Sequence, residues 1–167
     1  LRDWALSSSG LLVDTVGGAP VYPYQPDNVW EPLAITKERD FTYPASTGPS
    51  LYRRSIYTFW RRTVGPSNMF DASNRQACRV GASQTSTPLH ALTTLNDPTW
   101  VEAARELAQS VMRSEPDVET RIGNVFERVV SRPATTKEQA QLLSAYKRQL
   151  EIYVESPELA SQLLEIG

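Results

Sequence analysis

Residues that could act as a nucleophile, a base or a soft metal ligand are few in this 167-residue chain, which has one cysteine, Cys78, and one histidine, His90. The two lie twelve positions apart, and turn-forming residues separate them. This spacing fits neither a zinc-binding pair nor the Cys-x-x-Cys-His attachment site of a c-type haem. A single cysteine also excludes an internal disulfide. The sequence therefore predicts structural roles for both residues, with no catalytic residue, no metal site and no cofactor in this chain.

The charged and glycine pairs that resemble parts of known sites also have simpler interpretations. Asp71 and Arg75, in the segment FDASNR, are expected to form an ion pair that stabilises a turn. Glu102 and Glu106 are expected on the solvent-facing side of a helix, where their spacing gives no argument for glycosidase chemistry. Gly17-Gly18 lacks the strand and helix that flank a phosphate-binding loop, so the pair predicts a turn.

The remaining candidates are aromatic and basic residues, because ten of the 15 aromatic residues lie between positions 20 and 70. Flat rings can accept the faces of sugars, and arginine can pair with sulfate or carboxylate groups. The alternative interpretation is that the rings form the core of a loop-rich region, and we favour it because a chain broken by proline needs large anchors. The candidate binding residues are Trp30, Arg53, Arg54, Tyr57, Trp60, Arg61 and Arg62.

The elements that would position these residues differ between the two halves of the chain. Six of the 12 prolines lie between residues 20 and 50, and they exclude long regular elements there. The segment Leu51–Val64 shows both helical spacing and strand alternation, and its aromatic and β-branched content favours a strand. A second short strand is expected at residues 78–80. Residues 1–10 are expected to form a short helix that ends at Gly10.

The sequence after residue 87 predicts capped amphipathic helices. One of them is expected to bury an apolar stripe that contains Ala104 and Leu107, with Glu102, Arg105 and Glu106 on the opposite side. The fold class is thus mainly α, with an antiparallel helical bundle over residues 87–166 and a few short strands in the other half. We expect one domain, 1–167, with sub-regions 1–86 and 87–167. The predicted helix starts are Thr87-Pro88, Asp97-Pro98, Asp117, Thr135 to Glu138 as a capping box, and Ser156-Pro157.

Composition and charge narrow the classes of partner. Apolar residues make up 40% and charged residues 22% of the chain, as in an ordinary globular protein. The net charge is −2, and no stretch gathers the cationic residues that nucleic acid requires, so nucleic acid is not an expected partner. No apolar run approaches the roughly 20 residues that cross a bilayer, so no transmembrane segment is expected. The sequence begins in the manner of a fragment from a longer precursor.

Five ordered motifs resemble a known bacterial family, the domain of unknown function 1553. They are Arg2-Asp3 with SGLL at 9–12, PYQPDNVWE at 23–31, LYRRSIYTFWRRT at 51–63, FDASNRQAC at 70–78 and TSTPLHALTTLNDPTWVEAA at 85–104. The resemblance implies a C-terminal domain of large exported proteins, abundant in planctomycetes and often fused to a c-type cytochrome domain. It implies a periplasmic or cell-surface location, other domains of the same protein as partners, and any haem in the parent protein rather than in this chain.

Two hypotheses for function follow from the residues and the resemblance. The leading one is a non-catalytic or co-catalytic C-terminal module of a large exported, cytochrome-associated protein. The alternative is a domain of an enzyme that acts on sulfated or acidic polysaccharides through a glycan-binding face of aromatic and arginine residues. The expectation that complex glycans are partners rests only on gene neighbourhood, because such organisms carry genes of this family beside those of polysaccharide enzymes.

Overall fold

The computed structural model describes residues 1–26, 43–60, 81 and 86–167. Within these ranges the protein contains six α-helices and no β-sheet. The predicted mainly α fold class is therefore confirmed. The helices are α1 Arg2–Ser9, α2 Pro88–Asn96, α3 Pro98–Ser114, α4 Val118–Val130, α5 Thr136–Glu155 and α6 Pro157–Leu164.

The starts of three helices are held by the side chains that the sequence indicated. The hydroxyl of Thr87 accepts a hydrogen bond from the backbone N–H of His90 at 3.3 Å, at the start of α2. Asp117 accepts from the backbone N–H of Thr120 at 2.9 Å, at the start of α4. At the start of α5, Thr135 and Glu138 form a complete capping box. Each cap satisfies amide groups that the first turn of a helix leaves without a partner.

The strand expected over Leu51–Val64 is wrong for its described part, residues 51–60. The chain there forms two 3₁₀ turns, Gly48–Tyr52 and Ser55–Tyr57, and only isolated bridges join it to the preceding segment. That preceding segment has three prolines between residues 20 and 26, and prolines cannot donate to a strand ladder. Residues 61–64 and the strand expected at 78–80 lie outside the described residues.

The described chain divides into two compact units. The first comprises Leu1–Asp3 and Leu12–Thr99, and the second comprises Trp4–Leu11 and Trp100–Gly167. In the second unit α4 packs against α5, and α5 packs against α6. The expectation of one domain with sub-regions 1–86 and 87–167 stays a prediction.

The buried side of α3 differs from the predicted stripe. Leu107 is buried as expected, but Ala104 is exposed and Glu102 is buried, which corrects the expected solvent-facing position of Glu102. Glu102 is buried because the end of the chain lies against it, with Gly167 next to its side chain. Arg105 Nη1 donates to the backbone carbonyl of Ile166 at 2.6 Å, and Arg105 Nη2 lies 3.8 Å from Glu102 Oε1. The arginine therefore joins α3 to the end of the chain and supplies a counter-charge for the buried carboxylate.

Candidate functional site

Arg53, one of the predicted binding residues, is buried in the first unit and holds a loop together. Its guanidinium donates to the backbone carbonyls of Thr15 at 2.9 Å, Ala19 at 3.1 Å and Gly17. Gly18 lies in the same loop with φ +92°, a conformation that favours glycine. The donors of Arg53 thus satisfy carbonyl groups of a turn that regular secondary structure does not stabilise.

Tyr57 contacts both Arg53 and the same loop. The guanidinium carbon of Arg53 lies 4.1 Å from the centre of the Tyr57 ring, which is a cation–π contact. The hydroxyl of Tyr57 accepts a hydrogen bond from the backbone N–H of Gly17 at 2.8 Å. The side chains of Arg53 and Tyr57 therefore contact each other, and both bond to this loop.

The other predicted binding residues have different surroundings. Arg54 is exposed and lies 3.6 Å from the carboxylate of Asp14, while Trp60 is half-buried. Binding of glycans through this set of residues stays a prediction. Three of its members lie outside the described residues: Trp30, Arg61 and Arg62.

Arg2, a buried arginine that belongs to the first motif, has a structural role that the sequence did not reveal. Arg2 donates from Nη1 to the carbonyl of Arg53 at 2.9 Å and from Nη2 to the carbonyl of Leu51 at 2.6 Å. Its neighbour Asp3 accepts from the backbone N–H of Ser55 at 2.8 Å. Burial lowers the pKa of Arg2, and the carboxylate of Asp3 opposes this shift. No local pattern could have identified these contacts, because their partners lie about fifty positions away.

Aromatic residues in the first unit pack together, in line with the core interpretation. The rings of Tyr22 and Phe59 are stacked with centres 4.9 Å apart, and Tyr43 meets Tyr22 edge-on at 5.6 Å. The hydroxyl of Tyr43 donates to the carbonyl of Pro23 at 2.6 Å. Burial, assisted by Tyr22, raises the pKa of Tyr43 to about 12. A phenol with this pKa stays protonated at neutral pH and acts here as a hydrogen-bond donor.

The side chains that commonly bind metals form no metal-binding cluster in the described part of the chain. Within those ranges no group of three or more histidine, cysteine, aspartate or glutamate side chains could hold a metal ion. His90 lies half-buried on α2. The other residues considered in the sequence, Asp71, Arg75 and Cys78, lie outside the described residues.

The second unit contains an apolar groove between α3, α4 and α5, with a volume of about 440 Å³. Met112 is 60% exposed and Val129 is 41% exposed, although both are large apolar side chains. Arg121 is the one charged residue among the described residues that line the groove. The lining residues are Ala108, Val111, Met112, Val118, Arg121, Ile122, Val125, Phe126, Val129, Val130, Leu142 and Tyr146.

The sequence predicted the apolar stripe of α4 but not its surroundings. Val118, Ile122, Val125, Phe126 and Val129 were expected to face inward, as such spacing indicates for a core-facing helix. All five line the groove, and none of them is buried. The periodicity shows which side of a helix is apolar, whereas the presence of a covering element depends on the rest of the structure.

The fold and these surfaces define a mainly α protein with an open apolar groove and, in the described part, no metal-binding cluster. The described helices include none with the length and apolar character needed to span a membrane. The chain matches a family described as "Protein of unknown function (DUF1553)", PSD1, over residues 1–146. It therefore belongs to this family, and the resemblance drawn from the motifs is confirmed. Comparison with curated proteins and with solved structures gave no match.

Proposed function

We propose that the chain is a non-catalytic or co-catalytic C-terminal module of a large exported bacterial protein and that it docks onto another domain of that protein. One observation carries the proposal, namely the open groove between α3, α4 and α5. Apolar side chains that remain open to solvent in this number indicate a surface that a partner covers. A catalytic role would require convergent polar groups, and the groove offers few of them.

The size of the groove favours a segment of the same polypeptide over a freely diffusing partner. Its lining has twelve described residues, compared with roughly 20–30 residues on each side of a stable complex between separate proteins. A tethered segment needs less contact area, because the linker keeps its local concentration in the millimolar range. The occupant should carry aliphatic or aromatic side chains, since Arg121 is the one charged residue among the described residues that line the groove.

In this proposal the parent protein lies in the periplasm or on the cell surface and carries a c-type cytochrome domain. The haem would be attached to that domain, because covalent attachment needs two cysteines before a histidine and this chain has only Cys78. The module would then position or support the redox domain.

The test introduces a charge into the groove by Met112→Glu, with Leu164→Glu as the matched control. Both side chains are 60% exposed, but Leu164 lies on α6 and does not line the groove. Met112→Glu should lower the melting temperature of this module within the parent protein. It should leave the melting temperature of the isolated 167-residue chain nearly unchanged, because that chain already exposes Met112 to water. Leu164→Glu should change neither melting temperature. The same effect of Met112→Glu in both contexts would contradict docking.

The second candidate function is an enzyme domain that acts on sulfated or acidic polysaccharides. It is supported by the exposed guanidinium of Arg54 and the half-buried ring of Trp60. It receives less support from Arg53 and Tyr57, because their contacts with the loop at 15–19 occupy the groups that would bind an oxyanion or a sugar. A substitution of Trp60, described in the Discussion, separates the two candidates.

A further inference from the structure

The second unit has an open polar cleft that is separate from the apolar groove. Its volume is about 470 Å³, within the usual range for small-molecule sites. The cleft lies where two helices end, since its lining includes Ser7 and Gly10 at the end of α1 and Arg128 and Ser131 at the end of α4. No residue lines both the cleft and the apolar groove. The two surfaces can therefore be tested independently.

Trp4 gives the cleft a large exposed aromatic surface. It lines the cleft and is 52% exposed, although tryptophan is usually well buried. An indole ring combines a flat apolar face with an N–H donor, and such rings bind ligands that are apolar on one face and polar at the edge. The C–H face of a sugar ring has this character.

Arg128 gives the cleft a cation that no carboxylate neutralises within the described part of the chain. Its Nη1 donates to the hydroxyl of Ser110 at 3.0 Å, and its side chain is exposed. Arg54 and Arg132, by contrast, pair with Asp14 and Glu138. A cation in the last turn of α4 also interacts favourably with the helix end, but that interaction leaves most of its donors available.

The helix ends decide which kind of anion suits the cleft. Carbonyl groups at the ends of α1 and α4 accept hydrogen bonds from hydroxyl groups, and their partial negative charge disfavours a doubly charged anion more than a singly charged one. Ser7 and Ser131 are exposed there, and Ser131 adopts the left-handed conformation with φ +59°. A ligand with several hydroxyl groups and one acidic group matches these partners better than a phosphate does.

We propose that this cleft binds a sugar acid, a monosaccharide unit that carries a carboxylate. The ring stacks on Trp4, the carboxylate pairs with Arg128, and the hydroxyl groups bind Ser7, Ser131 and the carbonyls at the helix ends. The proposal assigns a ligand class to α1 and α4, and it does not depend on docking at the apolar groove.

The test is an NMR titration of the 167-residue chain with glucuronate, and with glucose and acetate as probes that each lack one half of the ligand. Glucuronate should shift the backbone amide signals of residues 7–10 and 128–131. Glucose should bind more weakly and shift the same signals, and acetate should leave these signals unshifted. Arg128→Gln should weaken glucuronate binding about tenfold, because a charge-assisted pair is lost.

Two further variants make the result specific. Arg113→Gln is the matched control, since Arg113 is also exposed and donates to a neighbouring polar side chain, that of Gln109 at 3.2 Å. Its binding should equal that of the unmodified chain. Trp4→Ala should abolish binding and Trp4→Phe should retain part of it, with unshifted α5 signals showing that the fold is intact. Equal shifts with acetate and glucuronate, no shift at the cleft, or equal losses in the two arginine variants would overturn the proposal.

Discussion

Adjacent arginines in this chain have opposite environments. Arg53 is buried and donates to three backbone carbonyls, whereas Arg54 is exposed beside Asp14. A buried guanidinium with several acceptors stabilises a fold, while an exposed ion pair contributes little. The segment from residue 15 to residue 19 depends on Arg53 because it has no regular secondary structure of its own.

We therefore expect Arg53→Ala to lower the free energy of unfolding by about 3 kcal/mol, since it leaves carbonyl groups of a loop without their donors. Arg54→Ala is the neighbouring control and should cost under about 0.5 kcal/mol. Urea denaturation of the two variants measures the difference. Similar small losses in both would show that the loop does not need Arg53.

Trp60 separates the structural interpretation of the aromatic residues from the glycan-binding one. Trp60 is half-buried, so Trp60→Ala should lower the free energy of unfolding by about 2 kcal/mol, less than the loss for a fully buried aromatic side chain. Thermal unfolding and binding to a sulfated-glycan array are measured on the same variant. An unchanged melting temperature together with lost glycan binding would favour the polysaccharide-enzyme candidate.

At the scale of single residues, the sequence drew attention to Arg53 and Tyr57 but did not predict the loop that their side chains bond to. Arg53 and Tyr57 stood out because aromatic and basic residues alternate there, and they do contact each other. Which of two neighbouring arginines points into a loop depends on the path of residues 15–19, and a short motif carries no information on that path. The role of Arg2 was missed for the same reason, because its acceptors lie far along the chain.

The starts of the helices were predicted well from the sequence because the residues that cap a helix lie next to its first turn. The side chains of Thr87, Asp117 and Thr135 each bond to an amide three residues ahead, so the pattern and its physical cause lie in one short segment. The strand expected near residue 56 failed because strand pairing needs a partner strand, and the nearby segment is interrupted by prolines.

The start of α5 gives a pH-dependent prediction. Hydrogen bonds from Arg132 and from Thr135 lower the pKa of Glu138 from 4.5 to about 2. Because the folded-state pKa is lowered, this stabilisation is complete above about pH 4.5 and is lost as the pH falls towards 2. Glu138→Gln should therefore reduce the melting temperature at pH 7, and the difference from the unmodified chain should shrink near pH 2.

Glu151→Gln is the control for this prediction, because Glu151 is exposed on the same helix and has no ion-pair partner within the described ranges. It should have little effect at either pH. A deficit of Glu138→Gln that is as large at pH 2 as at pH 7 would show that the carboxylate charge does not stabilise the start of α5.

At the scale of the whole molecule, the described helices leave many large apolar side chains open to water. The exposed set includes residues of α3, α4 and α5 around the groove, with Met112, Val129 and Leu142 among them. Membership of the family with unknown function is confirmed by the match over residues 1–146. The sequence could not reveal the groove, because helical periodicity is the same for a face that packs inside the chain and for a face that another domain covers.

The most direct test of docking is hydroxyl-radical footprinting of Met112, which lies in the groove and reacts readily because its thioether is exposed. Its oxidation rate is measured in the 167-residue chain and in the parent protein, and each rate is normalised to that of Leu164, which is equally exposed on α6. Docking predicts that Met112 oxidises several-fold more slowly in the parent protein while Leu164 stays unchanged. Equal normalised rates in the two proteins would contradict docking at the groove.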